Sequence, residues 1–286
     1  MNAARALQRR LRSAAPGITA QLTWAWKRRG DQADSLAVID ALVSRGDAAL
    51  DIGANWGLYT ARLARLVGEA GQVDAFEPHP DHTRTLRSLA RRRAHVAVHF
   101  VALSDAPGSA ELHVPVVDGR RVTALGSLAP PDAEVEHEVT PVPVVRLDDV
   151  MAKRRPPSFV KCDVEGLELR VLRGAETTLR RSRPALLVEI EQRHQTRPIG
   201  DTFRYLEELG YAGWYFGPGG LAPLEQFDVE RDQLAHLGPG VVEYGMPEGY
   251  VADFLFAAPG ADVPGLISPA RRRPRAARTR ARAARS

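Results

Sequence analysis

Apolar positions along the chain follow two rhythms. Short β-type runs at Ala48 to Ile52, Gln72 to Phe76 and Val96 to Leu103 alternate with stretches whose apolar residues recur at helical spacing, Trp56 to Val67 and Pro80 to Arg92. Strand then helix, repeated, predicts a parallel sheet covered on both faces. Helical spacing also marks Ala3 to Ala15 and Asp34 to Arg45, with Leu7, Leu11, Val38, Leu42 and Val43 on the inner faces, which predicts leader helices. Residues 109 to 147 break the rhythm. There "SAELHVPV" and "EVTPVPVVRL" flank "DGRR" and the Pro-rich "LAPPDAE", which predicts an inserted hairpin region. The alternation resumes with "SFVKCDVEG" as a strand running into a turn, "LELRVLRGAETTLRR" as one amphipathic helix, and "PALLVEIE" as a buried strand. A helix from Asp201 to Leu209 ends at Gly210, where a glycine stop belongs. Two aromatic-rich strands, "YAGWYFG" and "YVADFLFAAP", follow, separated by a loop of about thirty residues, long enough to act as a lid or recognition element.

A chain of 286 residues can bury a full core as one large α/β domain with extensions. The expected division is leader helices at 1–45, the domain at 46–260 with a β-rich insertion at about 105–147, and an Arg-rich tail at 261–286. The formal charge of +4 comes from the two ends. Residues 271–286 hold eight arginines and residues 1–30 hold seven basic residues, neither with an acid, so residues 31–270 carry 24 basic against 35 acidic groups. The body is acidic, and the tail reads as a solvated segment, with nucleic acid or an anionic surface as the sharper alternative. Cys162 is the single cysteine, which excludes an intramolecular disulfide and a cysteine-based metal site and fits a reducing cytoplasm. No apolar run is long enough for a membrane span, and arginines interrupt the start where a signal peptide needs an apolar core.

The stretch "ALDIGANWGLYT" sets a strand directly against a glycine turn and a helix start. Its D-x-G-x-x-x-G spacing lacks the G-x-G-x-x-G of a dinucleotide fold. Asp51 at the strand end can accept from an ammonium group; Gly53 and Gly57 open the turn, and backbone N–H groups near Asn55 to Gly57 can hold a carboxylate. The next strand ends in Glu77, an acid suited to both hydroxyls of a ribose. Amino acid plus ribose points to S-adenosylmethionine.

The blocks "DIGANWG", "FEPHP", "VALSD", "VRLDDV", "KCDVEGLELRVLRGA" and "LLVEIE", in that order over roughly residues 46 to 216, resemble the FkbM-type methyltransferases, a branch of the class I S-adenosylmethionine-dependent enzymes. The resemblance implies a Rossmann-like seven-stranded sheet, mostly parallel with an antiparallel last strand and helices on both faces. It implies cofactor contacts from Asp51, Gly53, Asn55, Gly57 and Glu77, from Ser104 and Asp105 beside the adenine, and from Asp163 at the fourth strand's end. Asp163, Glu165 and Gly166 match the signature beside the expected methyl position, where Cys162 replaces the family's usual apolar residue.

Methyl transfer is an in-line displacement in which the sulfonium charge disappears, so alignment supplies most of the catalysis and a general base adds only about 10²–10⁴. Asp163 and Glu165 are the first candidates for that base and His194 the second; Glu189 and Glu191 lie nearby. Plainer readings stand beside these. Glu165 can cap the following helix, one of Glu189 and Glu191 can face solvent, His194 can be a surface residue, and Lys161 can anchor a strand. His79 and His82 are three apart but lack a third ligand tied by spacing, so no metal is expected. The expected activity is O-methylation of a hydroxyl on a saccharide, glycolipid or polyketide-like acceptor, a small molecule or glycan rather than a nucleic acid. The acceptor side falls to "VPVVDGRRVTALGSLAPPDAE", with Arg121, Thr123 and Ser127 as available donors, and to the long loop. A nicotinamide-dependent oxidoreductase is disfavoured by the missing third glycine, and a nucleic-acid-binding protein working through the arginine tail is the rival outside enzymes.

Overall fold

The computed structural model describes residues 33–117, 119–123, 126–128, 135–217, 220–237, 247, 249–261 and 263. The helix expected over Ala3 to Ala15, the Arg-rich tail and parts of both acceptor-side segments lie outside these residues. The described chain begins with α1 (Ala33–Leu42) and runs through β1 (Ala48–Ile52), α2 (Leu58–Val67), β2 (Gln72–Phe76), α3 (Thr83–Arg91) and β3 (Val96–His99). A second group follows: β4 (Ala102–Leu103), β5 (Gly108–Val117), β6 (Arg120–Arg121) and β7 (His137–Val145). The alternation then returns with α4 (Leu147–Met151), β8 (Phe159–Cys162), α5 (Glu168–Arg173), α6 (Glu176–Ser182), β9 (Ala185–Glu189) and α7 (Gly200–Glu208). It closes with β10 (Ala212–Gly217), β11 (Gly220–Pro223), α8 (Val229–Asp232) and β12 (Asp253–Ala257).

The main sheet has eight strands in the order β11-β10-β12-β9-β8-β1-β2-β3. Strands β3, β2, β1, β8 and β9 are mutually parallel, and β12 enters antiparallel between β9 and β10. This is the expected sheet with one strand more: β11 folds back on β10 as an edge hairpin, so the long loop starts with a strand. Strands β1 and β8 are buried along their whole length, and β9 along its centre, because both their faces are covered. One core layer packs Ile39, Leu63, Val67, Val73 and Phe159 on one face; the other packs Phe76, Val160, Leu172, Val188, Leu206 and Phe254.

Two expected elements are divided. The run from Val96 to Leu103 is not one strand: β3 stays in the main sheet, while β4 pairs parallel with β7 in a second sheet of order β4-β7-β5-β6. The expected hairpin is the long β5/β7 pair of that sheet, in register from Gly108↔Val144 to Pro115↔His137. The single helix over "LELRVLRGAETTLRR" is two, α5 and α6. The Asp148 carboxylate accepts from the Thr177 and Thr178 N–H groups at 3.0 and 2.8 Å, capping α6 from outside, and the Gly174 carbonyl accepts from the Asp148 N–H. Helix α2 starts at Leu58 rather than Trp56 because Gly57 is left-handed, with φ 79°. No helix of the described residues is long and apolar enough to cross a membrane.

Candidate active site

The strand order reverses between β1 and β8, and in open α/β sheets the crevice outside the carboxyl ends of the strands at such a point is where ligands bind. Register puts Asp51 beside Ala75 on β2 and Lys161 on β8, so Gly53, Glu77 and Asp163 emerge together at the same sheet edge. The turn is fixed by backbone bonds: the Gly53 and Ala54 N–H groups both donate to the Phe76 carbonyl at 3.0 Å, and the Asp163 N–H donates to the Ile52 carbonyl at 3.0 Å. A Cβ at Gly53 would lie 1.7 Å from the Asp163 carbonyl oxygen, so only glycine lets the two strand ends meet.

A partly enclosed cleft opens here. Of the residues named from sequence, Gly53, Asn55, Glu77, Asp163 and Glu165 are on its wall, joined by Phe76, His79, His82, Val101, Ala102 and Leu103. The hairpin sheet contributes Leu112, Thr123, Gly126 and Leu128. Asp51, Gly57, Ser104, Asp105 and His194 are not on the wall.

Each of these displaced residues has a local partner. Asp51 is fully buried behind the turn, where its Oδ2 accepts from Thr60 Oγ1 at 2.5 Å and burial pushes its carboxyl up to about 6. Ser104 Oγ donates to Asp105 Oδ1, and Asp105 pairs with Arg170 at 2.9 Å, so the apolar Val101 to Leu103 face the cleft in their place. The Asn55 N–H donates to Glu77 Oε2 at 2.6 Å and the Gly57 N–H to the Ala54 carbonyl at 2.7 Å. Those two N–H groups are therefore spent inside the turn and do not form the carboxylate cradle expected of them. Of the three acceptor-side donors, Thr123 is on the wall, whereas Arg121 is paired with Asp81 and Glu138 and Ser127 Oγ donates to the Glu165 carbonyl at 2.5 Å.

The ends of β8 and β9 carry a dense set of charges. Lys161 is buried, with Nζ 3.4 Å from Glu189, 3.6 Å from Asp163 and 3.8 Å from Asp253. Burial works against its ammonium, but the three carboxylates outweigh burial and hold its pKa well above the ordinary lysine value. Glu165, at φ 55°, does not cap α5; the Gly166 N–H donates instead to Glu168 Oε1 at 2.9 Å. The Glu165 carboxyl lies 3.2 Å from His194 Nε2, and burial, with Asp163, Glu191 and Glu168 adding to it, raises its pKa well above the glutamate range. Glu189 and Glu191 both point inward, correcting the reading that one faces solvent. Burial opposes the Glu191 carboxylate, yet His194 and Arg193 lower its pKa, and Arg193 lies 2.7 Å away. His194 is a partly buried member of this set rather than a surface residue. Arg193 Nε lies 3.1 Å from the same His194 nitrogen.

Two features escaped the sequence reading. Glu168 is 1 % exposed, accepts from Gln195 Nε2 at 3.0 Å, and is pushed by burial up to about 7; its position inside a helical pattern gave it the look of an exposed residue. Glu165, Glu191 and His194 set one potential metal-ligand atom each within 4.8 Å of one another; Glu191 and His194 are three apart in sequence, and the turn after β9 brings them to Glu165.

The wall fits S-adenosylmethionine. Phe76, Val101, Ala102 and Leu103 offer an apolar surface for a flat base, and beside them Asn55 Oδ1 and His79 Nε2 are buried polar atoms without a hydrogen-bond partner among the described residues. Glu77, 5 % exposed, keeps acceptor capacity beyond the two backbone N–H groups it already takes.

Residues 51–212 match the family model of the methyltransferase FkbM domain. No curated protein matches the chain. Among solved structures, a methyltransferase FkbM from Methylobacillus flagellatus is similar at 17% identity and TM-score 0.46, over 84% of this chain and 59% of that one. The chain thus spans less than two thirds of that relative. An S-adenosylmethionine-dependent O-methyltransferase from Thermotoga maritima is similar at 14% identity and TM-score 0.40, over 79% of this chain and 64% of that one. Aeropyrum pernix fibrillarin, solved with natively bound S-adenosyl-L-methionine, is similar at 12% identity and TM-score 0.40, over 76% and 68%.

Proposed function

The chain belongs to the FkbM methyltransferase domain family, with S-adenosylmethionine as its cofactor, and from that premise we propose that it O-methylates a hydroxyl on a saccharide, glycolipid or polyketide-like acceptor. The observation that carries this reading is the position of Glu165. It stands on the cleft wall with a raised pKa, 3.2 Å from His194 Nε2. A buried carboxyl whose pKa is raised is a stronger base than an ordinary carboxylate, suited to take the proton that a hydroxyl loses when its oxygen attacks a methyl group.

In this reading S-adenosylmethionine supplies an electrophilic methyl on a sulfonium. Glu77 accepts from the ribose hydroxyls, Phe76 and Val101 to Leu103 flank the adenine, and Asn55 and Asp163 lie toward the amino-acid end. Asp51, behind the turn, supports its geometry through Thr60. Glu165 removes the acceptor proton, and His194 orients Glu165 from outside the cleft. The hairpin sheet covers the acceptor side, held down by the Ser127 bond to the Glu165 carbonyl. A single buried cysteine fits a reducing cytoplasm as the place of action.

Two measurements test this. Calorimetric titration with S-adenosylhomocysteine should give micromolar binding that Glu77→Ala abolishes and Glu165→Gln leaves intact. Methylation of a panel of hydroxylated acceptors should then fall by about 10²–10⁴ in kcat for Glu165→Gln, with loss of the limb of the pH profile that rises as Glu165 ionises. Unchanged kcat in Glu165→Gln would remove this residue as the base, and methylation confined to amines would remove the hydroxyl reading.

A further inference from the structure

His79 sits one residue after the Glu77-Pro78 pair and lines the same cleft, at 3 % exposure. Two bonds fix it. Its backbone N–H donates to Glu77 Oε1 at 2.7 Å, and its Nδ1 accepts from the Asp81 N–H at 3.1 Å, closing the short turn Pro80–His82. A nitrogen that accepts from an amide carries no proton, so the neutral ring must carry its hydrogen on Nε2. Burial, reinforced by His82, favours the neutral ring. Nε2–H is then an oriented donor, and it has no acceptor among the described residues. The ring cannot turn away: it stacks on His82 at 4.7 Å between centroids, and Gly126 of the hairpin sheet covers its Cδ2 edge.

We propose that His79 is a second contact to the cofactor, donating from Nε2–H to a ribose oxygen whose own hydroxyl proton is taken by Glu77. This rests on the placement of the cofactor with its ribose at Glu77. The chemistry is complementary: a hydroxyl that donates to a carboxylate still offers lone pairs, and a carboxylate cannot satisfy them. An acceptor and a donor on one turn therefore recognise a hydroxyl as donor and acceptor at once, which neither residue does alone. A ligand lacking that hydroxyl leaves both groups unpaired, and sites of this kind discriminate strongly for that reason.

The test is calorimetric titration of the full chain with S-adenosylhomocysteine and with its 2′-deoxy and 3′-deoxy analogues. His79→Phe keeps a flat ring and removes the donor. His79→Asn keeps a turn-capping acceptor for Asp81 on a side chain too short to reach the ribose, and it serves if the phenylalanine variant unfolds early. The expected result is about tenfold weaker S-adenosylhomocysteine binding in both variants, with the melting temperature of the free protein unchanged in His79→Asn and lowered in His79→Phe, which also loses the acceptor for the Asp81 N–H. That penalty should disappear on the one deoxy analogue that lacks the contacted hydroxyl. Equal penalties on all three ligands, or none, would overturn the proposal. Failure of the wild type to bind S-adenosylhomocysteine would instead overturn the cofactor placement beneath it.

Discussion

The two halves of the cleft are held by different means. On the side of β1 and β2 the geometry is set by bonds to the backbone: the Glu77 carboxylate accepts from the Asn55 and His79 N–H groups, and Gly53 and Ala54 donate to Phe76. On the side of β8 and β9 it is set by charge, with Lys161 among three carboxylates and Glu165, Glu191, Arg193 and His194 in mutual contact. Bonds to the backbone give a shape fixed by the chain itself, which suits holding one invariant cofactor. Crowded carboxylates give groups whose protonation responds to what binds, which suits a step that moves a proton.

The sharpest way to break this contrast is to remove the cation. Lys161→Met leaves Asp163, Glu189 and Asp253 without their shared partner in a buried setting, and should cost about 3–5 kcal/mol in urea unfolding at neutral pH. A loss below about 1 kcal/mol would mean that solvent already screens the cluster. A smaller effect is expected at Glu168. Its carboxyl titrates near 7 in the fold against 4.5 unfolded, so the native state binds the extra proton between those values and stability falls as pH rises through that window. Glu168→Gln keeps an acceptor for the Gly166 N–H and should remove up to roughly 3 kcal/mol of that decline, seen by comparing urea midpoints of both proteins from pH 5 to about pH 8. An equal decline in both would place the titration elsewhere. The smallest effect belongs to the turn. Gly57→Ala forces a side chain into φ 79° and 3.0 Å from Leu86, and should cost about 1–2 kcal/mol with no pH dependence. A pH-dependent loss there would erase the distinction between the halves.

The backbone-held half was the more legible in sequence, for a physical reason. A glycine turn between an apolar run and a helical period is written in a dozen consecutive residues, which places Gly53 and Asn55 at the strand end, and Glu77 follows at the end of the next strand, on the same cleft wall. The charged half depends on pairing between strands far apart in sequence: Lys161 meets Asp253 only because β12 inserts antiparallel next to β9. Periodicity assigned Glu168 to a helix but could not say that its face turns inward. The division of α5 from α6 depends on Asp148, twenty-eight residues before Glu176, and the division of β3 from β4 on pairing with β7. The displacement of Ser104 and Asp105 follows from Arg170 in the same way.

Cys162 lies within β8 at zero exposure, and burial pushes its thiol pKa well above the ordinary value, so the chain's one sulfhydryl is shielded from reagents while the protein is folded. This gives a silent background for site-specific labelling. A cysteine placed at Val139, half exposed on β7, would be the reactive thiol of the folded protein. A fluorophore there would sit on the sheet that covers the cleft, and its emission would report in real time whether that cover shifts when the cofactor arrives or only when the acceptor follows.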